Sequence, residues 1–550
     1  MKIPIYRNTT YLLISVLVVA AIVRLIHINQ PFIDSFSWRQ SSTAMMAENF
    51  YRRNWNIFYP EVSWDGPGPS YNGREFQTVT YITALLYTLL GQHDWVGRSV
   101  VVLFSLWGIF AFYQLVSRIW DRDRALMSAA ILAIFPGNIY LDRSFLPDPA
   151  MVALVVTSFW MLIAYLQTDR WYYLLLATLF ATWGFLTKLP GLIIGIPMLY
   201  TIFFVLGHRG LLRPKKLIVI GVAAISILLP VAAYYLWARH LALTYPPYHF
   251  AGSGNWIWDS QLREWWQQKY FFPKLYDHIY NWLWTYPIMI LVAIGLFVPP
   301  HYKLPTQESE EHSSNVTVRV PGMFHWWILA FAIYYFIGAQ QLVANPSNLN
   351  IVNPAAAALS GNGLMALASF AKRIGGSRAA LALITAILLI IAGVGHKQLK
   401  AWYSPWAKDG YDLGIALQQI TQPNDLIVTI ANSGGGDPVA IYYSRRRGWV
   451  FPPDSYKGRI GKNRIDWREQ INDDTLIVLL KEVLAEGADW MGIVKYDNNQ
   501  IAKDNPKLVA YIQKTLELYQ ETPNWVIYRI PPKIKTTKRS NQGTLIESRT

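Results

Sequence analysis

Six charged residues in four segments of the chain have the types and neighbours that group transfer needs. Asp34 and Arg39 lie in Phe32-Ile-Asp-Ser-Phe-Ser-Trp-Arg-Gln40, and Glu75 in Asn72-Gly-Arg-Glu-Phe-Gln77. Arg143 and Asp148 lie in Asp142-Arg-Ser-Phe-Leu-Pro-Asp148, and Lys188 in Leu186-Thr-Lys-Leu-Pro190. A carboxylate can take the proton of an attacking hydroxyl, and a guanidinium or ammonium can stabilise a departing phosphate. Taken singly, each reads more readily as a helix cap, a loop residue or a headgroup anchor. The chemistry depends on their meeting at one face. There is no Cys, which excludes disulfides, thiol nucleophiles, cysteine zinc sites and iron–sulfur clusters. Ten His without close ligand spacing argue against a hydrolase-type zinc site.

What must position these residues is a membrane bundle. Apolar residues make up 53% of the chain and charged ones 15%, with mean hydropathy +0.20, beyond what soluble proteins carry. The 24 Trp, 33 Tyr and 24 Phe suit membrane interfaces or sugar-stacking surfaces. The net charge of +15 is dispersed between apolar runs, so it reads as membrane topology and not as a nucleic-acid surface. Eleven runs approach the ~20 apolar residues a span needs: from Thr9, Trp95, Ala125, Pro149, Trp171, Leu189, Leu217, Trp284, Phe324, Ile351 and Ala379. The first looks like an uncleaved anchor. Basic residues such as Arg122, Arg124, Arg170, Lys215, Lys216, Lys372 and Arg378 fall in alternate loops, which places the N-terminus in the cytoplasm and the chain after Val394 outside. The short apolar segment Val79 to Leu90 is expected to lie along the outer interface or to dip in and return.

The fold class expected is thus an all-α polytopic bundle over 1–398 with a C-terminal extracytoplasmic α/β domain over 399–531. The first outer loop, 29–94, carries interfacial helices, and 239–283 is an aromatic outer loop. The domain follows from alternating helix and strand patterns: helices over 413–420, 476–485 and 506–519, strands over 426–430, 490–496 and 525–530. Residues 532–550 and the stretch 305–320 read as disordered. The run Ser433-Gly-Gly-Gly-Asp437 reads as a plain turn, since it lacks the lysine and glycine spacing of phosphate loops. Span centres nearly free of ionisable groups argue against the alternative function, a lipid-linked glycan transporter or flippase.

With these residues in view, the chain resembles the GT-C membrane glycosyltransferases that use polyprenyl-phosphate sugars, in the group of protein mannosyltransferases and lipid A aminoarabinose transferases. Asp34-Ser-Phe-Ser-Trp-Arg-Gln40, Ala47-Glu-Asn-Phe-Tyr51 and Glu75-Phe76 carry the resemblance most specifically. Arg143-Ser-Phe-Leu-Pro-Asp148 and Thr187-Lys-Leu-Pro190 extend it. Gln77 departs from the family pattern, and Asn348-Leu-Asn-Ile-Val-Asn-Pro354 lacks its Arg-Tyr pair. The resemblance implies an inverting transferase in the plasma membrane with Asp34, Glu75 and Asp148 catalytic. It implies Arg39, Arg143 and Lys188 on the donor phosphate, and a lipid, polysaccharide or protein acceptor. Some relatives use a divalent cation and others do not, so the resemblance leaves that cofactor open.

Overall fold

The computed structural model describes residues 9–211, 214–248, 271–300, 322–338, 342, 346–430, 437–453, 472–495 and 500–532. The expected loop 305–320, most of the aromatic loop, the Ser433–Gly436 run and the tail from 533 lie outside the described residues.

Uninterrupted apolar runs fold as helices, and breakers divide them. Helix α1 (Thr9–Leu25) precedes α2 (Ser37–Arg52), the two-residue strand β1 (Asp65–Gly66) and α3 (Thr78–Leu90). Then come α4 (Asp94–Ile119) and α5 (Arg122–Ile134). Pro136 lacks an N–H and cannot continue α5, so the run expected as one span from Ala125 to Leu141 splits, leaving α6 (Pro136–Leu141). Helices α7 (Asp148–Thr168), α8 (Trp171–Thr187), α9 (Gly195–Leu211), α10 (Pro214–Thr244), α11 (Phe271–Asp277), α12 (Tyr286–Phe297) and α13 (Met323–Ile337) follow. Helix α14 (Asn353–Trp402) joins two runs that the sequence separates. It is interrupted at Gly375 and Gly376, where Gly376 takes φ 73°, a left-handed value open to glycine.

Among the described residues, five helical segments are long and apolar enough to cross a bilayer: Asp94–Ile119, Asp148–Thr168, Leu189–Leu206, Pro214–Thr244 and Pro346–Trp402. A sixth is added if the pair Phe272–Leu283 and Tyr286–Phe297, which meet at 109°, counts as one span. Helices α1, α3, α8 and α13 are apolar but shorter. The protein is a multi-pass membrane protein, and length alone qualifies fewer spans than the eleven expected. Helix α3, about 20 Å long at 1.5 Å per residue, is too short for a hydrocarbon core of about 30 Å and packs between α2 and α4. Helix α7 is the centre of the bundle, with 94% of its apolar window buried against α4 and α8, whereas α10 has 11% buried and turns outward.

Past the bundle lie α15 (Lys408–Ile420), β2 (Leu426–Ile430), α16 (Val439–Ser444), β3 (Arg447–Val450), α17 (Asp473–Ala485) and β4 (Trp490–Val494). Helices α18 (Gln500–Asp504) and α19 (Pro506–Thr515) lead to β5 (Glu517–Glu521) and β6 (Trp525–Arg529). The sheet order is β1-β3-β2-β4-β6-β5. Strand β2 runs parallel to β3 and β4, and the remaining pairings are antiparallel. Two features differ from the sequence reading. The helix expected to reach Tyr519 stops at Thr515, and the next residues pair with β6 instead. The sheet also takes β1 from the first outer loop, with Asp65 opposite Trp449. Met45 and Ala47 of α2 share one buried cluster with Val101, Leu413, Ile427 and Ile441, so the C-terminal part sits directly on that loop.

Candidate active site

The chain leaves α1 and turns into Asp34, whose side chain is fully enclosed. Its Oδ2 accepts a hydrogen bond from Arg143 Nη1 at 2.7 Å and lies 3.5 Å from Arg98 Nη2; its Oδ1 accepts from Gln40 Nε2 at 2.6 Å. Arg143 also donates to the His27 carbonyl at 2.8 Å, and Arg98 to the carbonyls of Ile28, Gln30 and Pro31. A buried ion pair needs such extra hydrogen bonds to offset lost hydration. The guanidinium of Arg98 lies 4.8 Å from the Phe32 ring centre, and that of Arg143 4.8 Å from the Tyr403 ring centre, adding cation–π attraction.

The segment bearing Asp34 is held from outside the bundle. Ala407 N–H donates to the Ile33 carbonyl at 2.9 Å, and Ser35 N–H to the Trp402 carbonyl at 3.2 Å. The Tyr443 hydroxyl accepts from Phe32 N–H at 2.7 Å and donates to Asp94 Oδ2 at 2.6 Å. Ser37 Oγ donates to Asp437 Oδ2 at 2.9 Å. Within this clamp Phe36 takes φ 62°, a left-handed conformation costly for a bulky residue and sustained only where its surroundings impose it.

A second cluster gathers the other candidates. Lys188 follows the last residue of α8, at an extended position before the short 3-10 turn Leu189–Ile194, which carries Pro190 at its start. Its Nζ lies 2.7 Å from Asp148 Oδ1 and 3.8 Å from Glu75 Oε1. Arg39 Nη2 lies 2.7 Å from the same Glu75 oxygen. Asp148 opens the first turn of α7, where a helix end favours negative charge, and its Oδ2 is buried without a hydrogen-bond partner among the described residues. Burial alone would raise the Glu75 carboxyl, but Arg39 and then Lys188 hold it below the ordinary carboxylate value. The approach of the 143–148 segment to α4 depends on Gly97, since a Cβ there would lie 2.5 Å from the Phe145 ring.

The six residues read from the sequence therefore fall into two neighbouring sets. Arg39, Glu75, Asp148 and Lys188 form one chain of contacts. Asp34 and Arg143 form the other, and Arg39 and Gln40, adjacent on α2, belong to one set each. Arg143, expected on a phosphate, is enclosed and committed to Asp34 and His27. Sequence reasoning passed over Arg98 and Gln40, and also Arg24 with Asp142, a buried pair at 2.8 Å that Ser105 joins. The available signal was an arginine inside an apolar run, which requires a nearby acid. Among the described residues no group of three His, Asp or Glu could hold a metal. Glu75 and Asp148 are bridged by the Lys188 ammonium, which stands where a divalent cation would have to sit. This donor set does not make a cation site, and no step below uses one.

Comparisons with known proteins agree with this architecture. Residues 78–234, less than half of the chain, match the family model for dolichyl-phosphate-mannose-protein mannosyltransferase. That stretch holds Arg143, Asp148 and Lys188 but neither Asp34 nor Glu75. No curated protein sequence matches the chain. The crystal structure of ArnT from Cupriavidus metallidurans bound to undecaprenyl phosphate superposes with TM-score 0.62 at 13% identity, over 96% of this chain and 99% of that one. The Archaeoglobus fulgidus oligosaccharyltransferase with Zn and sulfate gives TM-score 0.54 at 13% identity, covering 94% of this chain and 74% of that one. Arabinofuranosyltransferase AftD from Mycobacteria gives 0.52 at 12% identity, covering 94% and 40%. With the matched segment and near full-length superposition taken together, the chain has the GT-C fold.

Proposed function

We propose that the protein is an inverting glycosyltransferase that moves a sugar from a polyprenyl-phosphate carrier to an acceptor hydroxyl at the outer face of the plasma membrane. The observation that supports this most is the Lys188 cluster, in which two cations and a carboxylate oxygen without a partner converge from distant parts of the chain. A phosphate at headgroup level would meet Lys188 and Arg39 while its lipid tail stayed in the bilayer. The similarity to a structure holding undecaprenyl phosphate supports a donor of this class.

In this mechanism Asp34 takes the proton of the acceptor hydroxyl as its oxygen attacks the anomeric carbon. The bond from that carbon to the phosphate oxygen breaks on the opposite side, and its electron pair leaves on the phosphate, whose charge Lys188 and Arg39 stabilise. Phosphate is a good leaving group, so no general acid is required. Arg143 and Arg98 hold Asp34 in place, and Glu75 and Asp148 orient the sugar. Because Asp34 has no exposed surface, the acceptor reaches it when the segment around the strained Phe36 moves aside. The N-terminus lies in the cytoplasm and the C-terminal part outside. The test is turnover by the purified protein in liposomes offered a panel of radiolabelled undecaprenyl-phosphate sugars with membrane lipid, polysaccharide and peptide fractions. One donor should pass its label to an acceptor. Release or transfer from none of them contradicts the proposal.

A further inference from the structure

The two charged sets account for donor and base but leave the acceptor undefined. Beside Asp34 a cleft of about 580 Å³ opens between residues 34–37, the bend before α12 and the end of α14. Ligand sites commonly span roughly 300–1,000 Å³. One wall is aromatic: the Trp282 and Trp402 rings stack at 5.2 Å with 13° between their planes, and Phe36 meets Trp282 at 5.9 Å. Trp406 stands on the rim with 71% of its surface exposed. The polar groups that complete the lining are the neutral side chains of Ser35, Ser37, Asn281 and Gln398, with the Ser37 hydroxyl donated to Asp437, and among the described lining residues only the enclosed Asp34 carries charge.

Flat apolar rings bordered by carboxamides and hydroxyls complement a sugar, which has a C–H face and a rim of hydroxyl donors and acceptors. An anionic headgroup or an acidic peptide would call for a lysine or arginine in the lining. A tryptophan near a bilayer is ordinarily an interfacial anchor, but Trp406 borders a cleft whose wall includes the enclosed proposed base. We infer that this cleft binds a neutral saccharide and presents its hydroxyl as the acceptor, an assignment that rests on the transfer reaction proposed above.

The test uses the full chain in lipid nanodiscs, applied to an array of neutral and charged oligosaccharides together with Ser/Thr peptides, as wild type, Trp406→Ala and Trp406→Phe. A neutral glycan should bind, weaken at least tenfold in Trp406→Ala, and keep most of its affinity in Trp406→Phe. Binding of no neutral glycan, equal binding by Trp406→Ala, or Trp406-dependent binding of a peptide would each overturn the assignment. Binding of undecaprenyl phosphate to the same preparations separates the two proposals. If that lipid binds and glycans do not, the cleft assignment alone fails. If glycans bind through Trp406 but Asp34→Asn transfers sugar at the full rate, the transfer mechanism fails and the cleft assignment stands.

Discussion

Around Asp34 both carboxylate oxygens are engaged, and Asp34, Arg98 and Arg143 are all fully enclosed. Around Lys188 the side chains range from 1% exposed at Asp148 to 13% at Glu75, and one Asp148 oxygen has no partner. Arg143 Nε also lacks a partner among the described residues, so the difference lies in the carboxylates: both Asp34 oxygens are engaged and one Asp148 oxygen is not. A carboxylate with both oxygens engaged is held in one place. A carboxylate with a free oxygen gains a hydrogen bond when a hydroxyl arrives. The contrast assigns orientation of the base to the first set and recognition of the donor to the second.

Replacing one member of each set is the sharpest way to break this contrast. Arg98→Leu leaves Asp34 with one guanidinium and should destabilise the protein by about 3–5 kcal/mol, the usual cost of a broken buried pair. A thermal or denaturant unfolding shift well under 1 kcal/mol would remove the distinction. Lys188→Met also breaks a buried pair, but its diagnostic effect is on turnover. Its fold should lose a similar amount, about 3–5 kcal/mol, but donor turnover by the folded variant should fall about 100-fold, the scale of one lost charge-stabilising group. Unchanged turnover in folded Lys188→Met would exclude the donor role.

The smallest effect concerns acid. Burial pushes the Asp437 carboxyl up to about 6, against hydrogen bonds from Val439 N–H and the Ser37 hydroxyl that pull it back. A folded-state value above the ordinary value of about 3.9 means that its contribution is fully present below that value and is lost as pH rises through about 6. Glu75 behaves in reverse. Its lowered value adds stability above the ordinary value of about 4.3, which is lost only as pH falls through the depressed one. Of these two groups, Asp437 alone titrates between pH 7 and 5. The unfolding midpoint should therefore rise by about 1–3 °C on acidification, and Asp437→Asn should reduce the rise, leaving the part due to Glu48, whose carboxyl burial also raises.

The apolar runs made the helical bundle legible from sequence, because hydrophobic length is a property each segment carries alone. Their division was less legible. Pro136 and the Gly375–Gly376 pair fell inside or between runs of suitable composition, and composition does not say whether a breaker ends a span or only bends it. The short strands were harder. Arg447-Gly-Trp-Val450 and the exposed Glu517-Leu-Tyr-Gln-Glu521 have no alternating buried face, and β1 contributes two residues that become a strand only through pairing with β3. Within the candidate site, the six charged residues stood out by type and position near span ends. Arg98 and Gln40 did not, since their roles come from facing Asp34 across long stretches of chain.

The most direct test of the account is sugar transfer by Asp34→Asn in liposomes, normalised to folded protein because Arg98 and Arg143 lose a shared partner in this variant. The account predicts a loss of at least about 100-fold in turnover, the lower end for a missing general base, with undecaprenyl-phosphate binding retained. Full transfer by the folded variant would contradict it.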